Sequence, residues 1–523
     1  MTFSPIATQN SASARAIPAS RQQPIIRFTT AIGFLFVLSV LLRLVALGVV
    51  PLIPEEAYYW MYSENPSLSY YDHPPMIAWM IRAGVLVFGD TEIGVRIAPH
   101  LLMFGATMLM YQFARLWHTR RASILAAAML NVLPVYFGIG FIATMDSTLL
   151  FFWLGCLLSI GMALLKNRPI GWYFAGIALG SAMLTKYTAI FLVAGTVLVL
   201  VTHRPWRKHL LSIHPWLGAV IAAGMFSPVI LWNAHNDWAS FRFQFIDRFG
   251  NDTIGFLNPA GFAIIQFLVL TPPVLVVCAG MIARWFRNRR FTNETLFAMA
   301  FSLPLLATMA YKSLTAEVHL NWTAPAFLSL IPAISAIIAA GYTHANLSTR
   351  IEAFGQWMRW SGIACILVNC GILLFLLVLQ PHLRWISAFG PWTDLAHAVE
   401  DSEDALEHQT HQEPLIIADG RYRLASVLAF YRTPVENYVE ASQFTTSQWI
   451  LGGRGVGYEF WSDRNDWIGA NCLYITDDTH MLADLSRWFD RVEPVDDPRL
   501  NNGKAHYMAW CFGLKAQPRK SIQ

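Results

Sequence analysis

The 523-residue chain is 55% apolar and only 13% Asp, Glu, Lys or Arg, roughly half the charged share of an average soluble protein. With 20 Trp, 34 Phe and a mean hydropathy of +0.42, it has too little charge to coat a water-soluble globule, which excludes a soluble enzyme, a disordered scaffold and a disulfide-stapled mini-fold. A net charge of +4 is too small for a nucleic-acid binder, and six cysteines, four of them inside apolar runs, form neither a disulfide framework nor a zinc pattern.

In chain order, residues 1–27 form a polar tail rich in Ser, Ala and Arg. The first apolar run, 28–50, is longer than a signal-peptide core and reads as a retained membrane span. A hydrocarbon layer of roughly 30 Å takes about 20 apolar residues per helix. Ten more runs approach that length: 93–117, 122–142, 147–165, 169–185, 187–202, 214–232, 261–283, 295–311, 322–342 and 360–380. The expected architecture is therefore an α-helical polytopic membrane protein with about eleven spans over residues 28–380. No internal repeat is evident, which weakens a reading as an inverted-repeat transporter.

Alternate loops carry 17 of the 24 basic residues of this part, among them Arg120, Arg121, Arg204, Arg207, Lys208, Arg287 and Arg289. The positive-inside bias places those loops and the N-terminus in the cytoplasm. The opposite side receives 11 of the 13 acids. An odd number of spans puts residues 381–523 there too. That region holds 33 of the chain's 70 charges, 20 acidic and 13 basic, and reads as a separate polar domain. Leu415-Ile416-Ile417, Cys472-Leu473-Tyr474-Ile475 and 505–512 read as strands, and 422–430 and 481–489 as helices, giving a small α/β domain. Cys472 and Cys511 are its only cysteines. In an oxidising compartment they pair, and on buried strands they pack as thiols; the sequence leaves both open. Gly452-Gly453-Arg454-Gly455-Val456-Gly457 follows no clear strand and lacks a Lys-Ser/Thr ending, so it is not a nucleotide loop.

The external segment 51–92 is the most informative. Pro54-Glu55-Glu56-Ala57-Tyr58-Tyr59-Trp60 sets two adjacent carboxylates at the membrane surface before an aromatic cluster, and Tyr70-Tyr71-Asp72-His73-Pro74-Pro75 follows. Carboxylates so placed are costly unless water, a metal or a reaction uses them; the plain alternative is an interfacial helix with solvated acids and an aromatic belt. The stretch from Met76 to Phe88 is too short to span and reads as a helix lying along the interface.

These residues resemble a known family. Glu55-Glu56-Ala57-Tyr58-Tyr59-Trp60 is similar to the Asp-Glu-Ala-Tyr-Tyr-Trp motif of bacterial proteins related to the dolichyl-phosphate-mannose protein mannosyltransferases, glycosyltransferase family 39 in the broad sense. Tyr71-Asp72-His73-Pro74-Pro75 resembles their Tyr/Phe-Asp-His-Pro-Pro and the Phe-Glu-Lys-Pro-Pro of the lipid A aminoarabinose transferases. Further matches are Met145-Asp146-Ser147, Thr185-Lys186-Tyr187, the run from Asn236-Asp237-Trp238 to Gln244, Glu317-Val318-His319-Leu320-Asn321-Trp322, and the tail segment from Ala418-Asp419-Gly420 to Ser426. One departure is Glu55, where the family usually has Asp; the extra methylene leaves open whether Glu55 or Glu56 is central.

The resemblance implies a GT-C-type membrane glycosyltransferase of the bacterial inner membrane. It would take a sugar from a polyprenyl-phosphate donor to an envelope acceptor such as lipid A, core glycolipid or another cell-surface glycan, on the periplasmic face and with inversion. A flippase or exporter of lipid-linked sugars, or a transferase acting on protein hydroxyls, is the alternative. The chemistry asks for a carboxylate to take the acceptor proton and for cations or a metal to hold the leaving phosphate. Glu55 is the expected base or acceptor-orienting group, with Glu56 and Asp146 as the other catalytic candidates; Asp146 is equally suited to capping a helix. Lys186, His73, Arg242 and Lys312 are the donor-phosphate candidates, though lipid headgroups suit each cation as well and a helix-ending hydrogen bond suits His73. Tyr58, Tyr59, Asp72, Glu317, His319 and Asn321 are substrate-binding candidates, and Glu317, His319, Asn321, Asp72 and His73 could together ligate a divalent ion, although no compact metal spacing is present.

Overall fold

The computed structural model describes residues 19–247, 257–288, 292–343, 349–375, 392–432, 442–497 and 506–516. Most of the 1–27 tail, Arg248 and residues 376–391 at the expected domain boundary lie outside these ranges.

Helix α1 (Ala19–Val49) is followed by α2 (Pro54–Glu64), α3 (Met76–Phe88) and α4 (Glu92–Arg115). Then come α5 (Arg120–Val132), α6 (Pro134–Phe141), α7 (Met145–Leu165), α8 (Ile170–Thr185), α9 (Ile190–Thr202) and α10 (Ile213–His235). The helical part closes with α11 (Ala239–Arg242), α12 (Leu257–Asn288), α13 (Asn293–Lys312), α14 (Ala324–Phe327), α15 (Ile331–Thr343) and α16 (Thr349–Leu374). Over its described residues, each of the eleven apolar runs falls on a helix or a bent pair of helices, because a backbone in lipid satisfies its own N–H and C=O groups only by coiling. By length and composition, four described helices, α4, α7, α10 and α13, can cross a membrane, and nine spans result if each bent pair is counted as one. The bends have local causes. Pro134 stands at the first position of α6 and turns it 64° from α5. In α12, Thr271 precedes two prolines and adopts φ +62°, breaking the helix.

The short apolar stretch Met76–Phe88 is a helix, α3, packed on α2 and α4 with Leu86, Val87 and Phe88 exposed.

The C-terminal region is an α/β domain. It comprises α17 (Trp392–Thr410), β1 (Leu415–Ala418), α18 (Arg423–Tyr431), β2 (Thr445–Ser447), β3 (Cys472–Thr476), β4 (Phe489–Val495) and β5 (Tyr507–Leu514). The sheet order is β2-β1-β3-β5-β4, parallel across β2, β1 and β3 and antiparallel from there on. Sequence periodicity misses β2 and β4. The first is three polar residues, and the second carries an alternating charged pattern that continues out of residues expected to be helical; the helix there ends at Asp484, short of Phe489.

Side chains alternate across this sheet. Ile416, Ala418, Leu473, Ile475 and Met508 join a core that also holds Tyr58, Trp60, Ile77 and Met145 of the helical part, while Leu415, Ile417, Tyr474 and Ala509 fill the other face. The domain thus shares a continuous core with α2. Phe430 meets the Trp60 ring edge-on at 5.1 Å, and the Tyr431 hydroxyl accepts from the Leu52 amide at 2.7 Å and donates to Glu92 at 3.0 Å. The glycine-rich turn serves this docking, as the Gly457 amide donates to the Tyr58 hydroxyl at 2.8 Å.

Cys472 and Cys511 are directly opposed on β3 and β5, both fully buried and both free thiols. Burial pushes both thiols up, so they stay protonated and unreactive. Maleimide labelling of the native protein is expected to spare both and to modify them only after unfolding in SDS, as read by peptide mass spectrometry.

Candidate active site

Helix α2 begins at Pro54, whose missing N–H is harmless at a helix start. Its next two side chains are the adjacent glutamates, about 100° apart around the helix, and they meet opposite fates. Glu56 is fully buried. Its Oε1 accepts from Arg96 Nε at 2.7 Å and from the Ala143 amide at 2.8 Å, and its Oε2 accepts from Arg96 Nη2 at 2.6 Å and from the Ile53 amide at 3.1 Å. The remaining Arg96 donors go to the carbonyls of Leu47, Val50 and Pro51. All five guanidinium N–H groups are thereby used. This network ties the end of α1, the start of α2, α4 and the α6–α7 turn into one rigid corner, and it leaves Glu56 no oxygen for a substrate.

Glu55 is turned the other way. Its side chain is 31% exposed and accepts from Arg423 Nη2 at 3.2 Å and from the Tyr422 hydroxyl at 3.4 Å, both from the C-terminal domain. Burial and then the Glu55 charge push the Tyr422 phenol well above its usual range, so it remains a hydrogen-bond donor.

Glu55 also lines a cavity of about 710 Å³. Its walls are mainly apolar: Val135, Gly138, Ile139 and Ile142 on one side, Ala364, Val368 and Ile372 of α16 on another, and Thr271-Pro272 at the break in α12. Its few polar lining residues include Glu55, Thr144, Asn321 and Ser361. Such a space suits an amphiphile with a long apolar tail and a polar head held near Glu55 and Asn321.

Asn321 connects the cavity to a second charged group. Its amide donates to Asp146 Oδ2, and Lys186 Nζ donates to Asp146 Oδ1 at 2.7 Å. Asp146 is 3% exposed. It is not the cap of α7: Thr144 occupies that position, and the Asp146 carboxylate reaches sideways to Lys186 and Asn321. Lys186 lies in extended backbone at the end of α8, which lets its side chain leave the helix and cross to α7.

Asp72 is 7% exposed and accepts from the hydroxyls of Tyr58, at 3.0 Å, and Tyr62. His73 Nε2 lies 3.8 Å from Asp72 Oδ2, and its ring meets Tyr59 edge-on. Tyr59 is buried, and burial followed by the Asp72 charge pushes its phenol well above the usual range. Tyr58 is committed to the interface, its ring 4.3 Å from that of Tyr422.

The remaining candidates stand apart. Arg242, Glu317 and His319 are exposed, Lys312 is half-buried at the end of α13, and none of the four lines this cavity. The possible ligand set of Glu317, His319, Asn321, Asp72 and His73 is not gathered: among the described residues, no group of three or more His, Cys, Asp or Glu side chains is placed to hold a metal ion.

Sequence reasoning passed over Arg96, Tyr422, Arg423 and Thr271. An Arg inside an apolar run is a signal for the first, and Thr-Pro-Pro for the last. The pair from the C-terminal domain lies in the matched tail segment 418–426, but its contact with Glu55 depends on docking.

The profile of the dolichyl-phosphate-mannose-protein mannosyltransferase family matches residues 72–232. Among curated relatives, the lipid A galacturonosyltransferase RgtD of Rhizobium johnstonii is 27% identical over 280 residues, covering 53% of this chain and 58% of that protein. The undecaprenyl phosphate-alpha-4-amino-4-deoxy-L-arabinose arabinosyl transferase of Aeromonas hydrophila is 25% identical over 361 residues, covering 66% and 60%. The matches thus span about 60% of the length of these relatives. Among solved structures, ArnT from Cupriavidus metallidurans bound to undecaprenyl phosphate superposes with a TM-score of 0.59 at 16% identity, over 92% of this chain and 98% of that one. The apo oligosaccharyltransferase of Archaeoglobus fulgidus gives a TM-score of 0.51 at 13% identity, over 87% and 70%.

Proposed function

We propose that this chain, a relative of the glycosyltransferase family 39 enzymes with the GT-C fold, transfers a sugar from a polyprenyl-phosphate carrier to an envelope glycolipid acceptor. The observation that supports the reading is an apolar cavity lined by Glu55 and Asn321, the latter hydrogen-bonded to Asp146, which pairs with Lys186 just outside the cavity lining. The prenyl chain occupies the cavity, its phosphate sits by Lys186, and the sugar lies between that phosphate and Glu55.

The acceptor oxygen attacks the anomeric carbon as the bond from that carbon to the phosphate oxygen breaks, and polyprenyl phosphate leaves. Direct displacement inverts the anomeric centre. Glu55 takes the proton of an acceptor hydroxyl; if the acceptor oxygen belongs to a phosphate, no proton moves and Glu55 positions it. Lys186 neutralises the charge that develops on the leaving phosphate, and Asp146 with Asn321 holds Lys186 in place. Asp72, gripped by Tyr58 and Tyr62 of α2, fixes the loop that carries His73 against Tyr59.

In this reading residues 1–27 are cytoplasmic, 28–380 form the inner-membrane catalytic part, and loop 51–92 with the 381–523 domain faces the periplasm. Cysteines introduced beside Glu55 then react with membrane-impermeant reagents added from the periplasmic side; reaction from the cytosol alone would invert the topology.

The test is transfer of sugar from a synthetic polyprenyl-phosphate sugar to lipid A or core glycolipid by the purified full-length protein in detergent. Absence of product with the aminoarabinose, galacturonic acid and mannose donors would refute the reading.

Lys186→Ala is expected to weaken polyprenyl-phosphate binding about tenfold, on the order of 1.4 kcal/mol for a charge-assisted contact. The double variant Lys186→Ala/Asp146→Asn, which removes the stranded carboxylate, should regain thermal stability without regaining affinity.

A further inference from the structure

The site described so far lies in the helical part, yet Glu55 is held by the other domain. In the C-terminal sheet β1 is flanked by β2 on one side and β3 on the other. The chain leaves β1 toward β2 and leaves β3 toward the opposite edge, so the carboxyl ends of β1 and β3 form a topological switch point, the place where open α/β sheets take ligands. Thr476 at the end of β3 donates to Asp419 Oδ2 at 2.7 Å, joining the two strand ends. Gly420, at φ +84°, turns the chain as no other residue does readily, and Tyr422 and Arg423 just beyond it reach Glu55.

The two adjacent glutamates have contrasting arginines. Arg96 grips Glu56 with two nitrogens at 2.6 and 2.7 Å and neither side chain is exposed. Arg423 touches Glu55 with one nitrogen at 3.2 Å, and its side chain is 58% exposed. The first pair is locked. The second is a single-point contact in water, which an incoming anion displaces easily, because a guanidinium binds phosphate or carboxylate through two parallel N–H bonds.

We infer that Arg423 is a latch on Glu55 and the group that reads an anion on the acceptor. Without acceptor, Arg423 holds the Glu55 carboxylate. An acceptor carrying a phosphate or carboxylate near its reacting oxygen draws Arg423 away and frees Glu55 where the reacting oxygen arrives. The latch also restrains wasteful hydrolysis, in which a water oxygen bonds to the anomeric carbon, polyprenyl phosphate leaves and the water proton passes to Glu55. Arg423 is thus a positioning residue for the reaction and a binding residue for the acceptor. This inference rests on the transferase reading.

Two arms separate them. In the first, with no donor present, the full-length protein in nanodiscs binds a glycolipid bearing a phosphate monoester, the same glycolipid after phosphatase treatment, and an analogue bearing a carboxylate. Native protein is expected to prefer the anionic forms about tenfold, Arg423→Ala to lose the preference, and Arg423→Lys to keep part of it; which anion is preferred identifies its source. Binding of polyprenyl phosphate should be the same in all three proteins.

In the second arm, Arg423→Ala is expected to raise donor hydrolysis without acceptor severalfold and to raise the acceptor KM about tenfold. An anion preference retained in Arg423→Ala, an equal loss of polyprenyl-phosphate binding, or unchanged hydrolysis would overturn the latch. If native protein neither transfers nor hydrolyses any donor, the transferase reading fails, and the first arm alone still decides whether Arg423 reads an anion.

Discussion

Glu55→Gln is expected to cut sugar transfer by about 10²–10⁴-fold, the range for loss of a general base, while polyprenyl-phosphate binding and thermal stability stay at native values. The reason is geometric. Glu55 is partly exposed, lines the cavity and, among the described residues, is held by two exchangeable contacts from the C-terminal domain, so an amide of the same shape preserves the packing and removes the proposed proton acceptor. Glu55→Asp, which restores the residue usual at this place in related motifs, should keep measurable turnover. The assay is transfer in detergent alongside a polyprenyl-phosphate binding isotherm and a melting curve. Full activity of Glu55→Gln with a hydroxyl acceptor would remove Glu55 as the base; with a phosphate acceptor, a smaller loss in kcat and a raised acceptor KM mark the positioning role instead.

Glu56→Gln and Arg96→Met should behave in the opposite way. Each strands one half of a fully buried, fully hydrogen-bonded ion pair, a change that costs about 3–5 kcal/mol. The expected result is a large fall in the melting temperature in detergent and poor recovery of folded protein. The double variant Glu56→Gln/Arg96→Met removes both charges together and should regain a substantial part of the loss, which a double-mutant cycle measures directly. Melting curves of the four proteins decide between this architectural role and a catalytic one. If Glu56→Gln melts like the native protein and only loses transfer, then Glu56 acts on substrate and the assignment of the two glutamates is reversed.

Most of the helical architecture was legible in the sequence, because it follows from a local requirement. A run of about 20 apolar residues must coil in lipid whatever surrounds it. Over their described residues, the eleven runs from 28–50 to 360–380 accordingly fall on helices or bent pairs, which give four to nine spans by length and composition. The bends at Pro134 and at Thr271-Pro272-Pro273 are local as well, yet reading runs by hydropathy alone passes over them, since proline interrupts geometry without interrupting apolar character. The polar domain was visible as a change in charge density, and β1, β3 and β5 as short apolar runs. The strand β2, three hydroxyl-bearing residues, was invisible because only its place beside β1 makes it a strand.

The sequence by itself determined which residue types were available for chemistry: two carboxylates at a helix start, an Asp before an apolar run, a Lys between two such runs. Tertiary structure alone decided what each does. Glu55 and Glu56 are neighbours in sequence, but their side chains diverge around α2, and Arg96, 40 residues on, claims only Glu56. Asp146 joins Lys186 and Asn321, which are 40 and 175 residues away. Arg423 comes to Glu55 from 368 residues off. Backbone conformation is set mainly by near neighbours and by solvent, so it can be read along the chain. The partner of a charged side chain is set by whichever distant group packing brings within about 3 Å, and that is fixed only when the helices and the sheet close on one another.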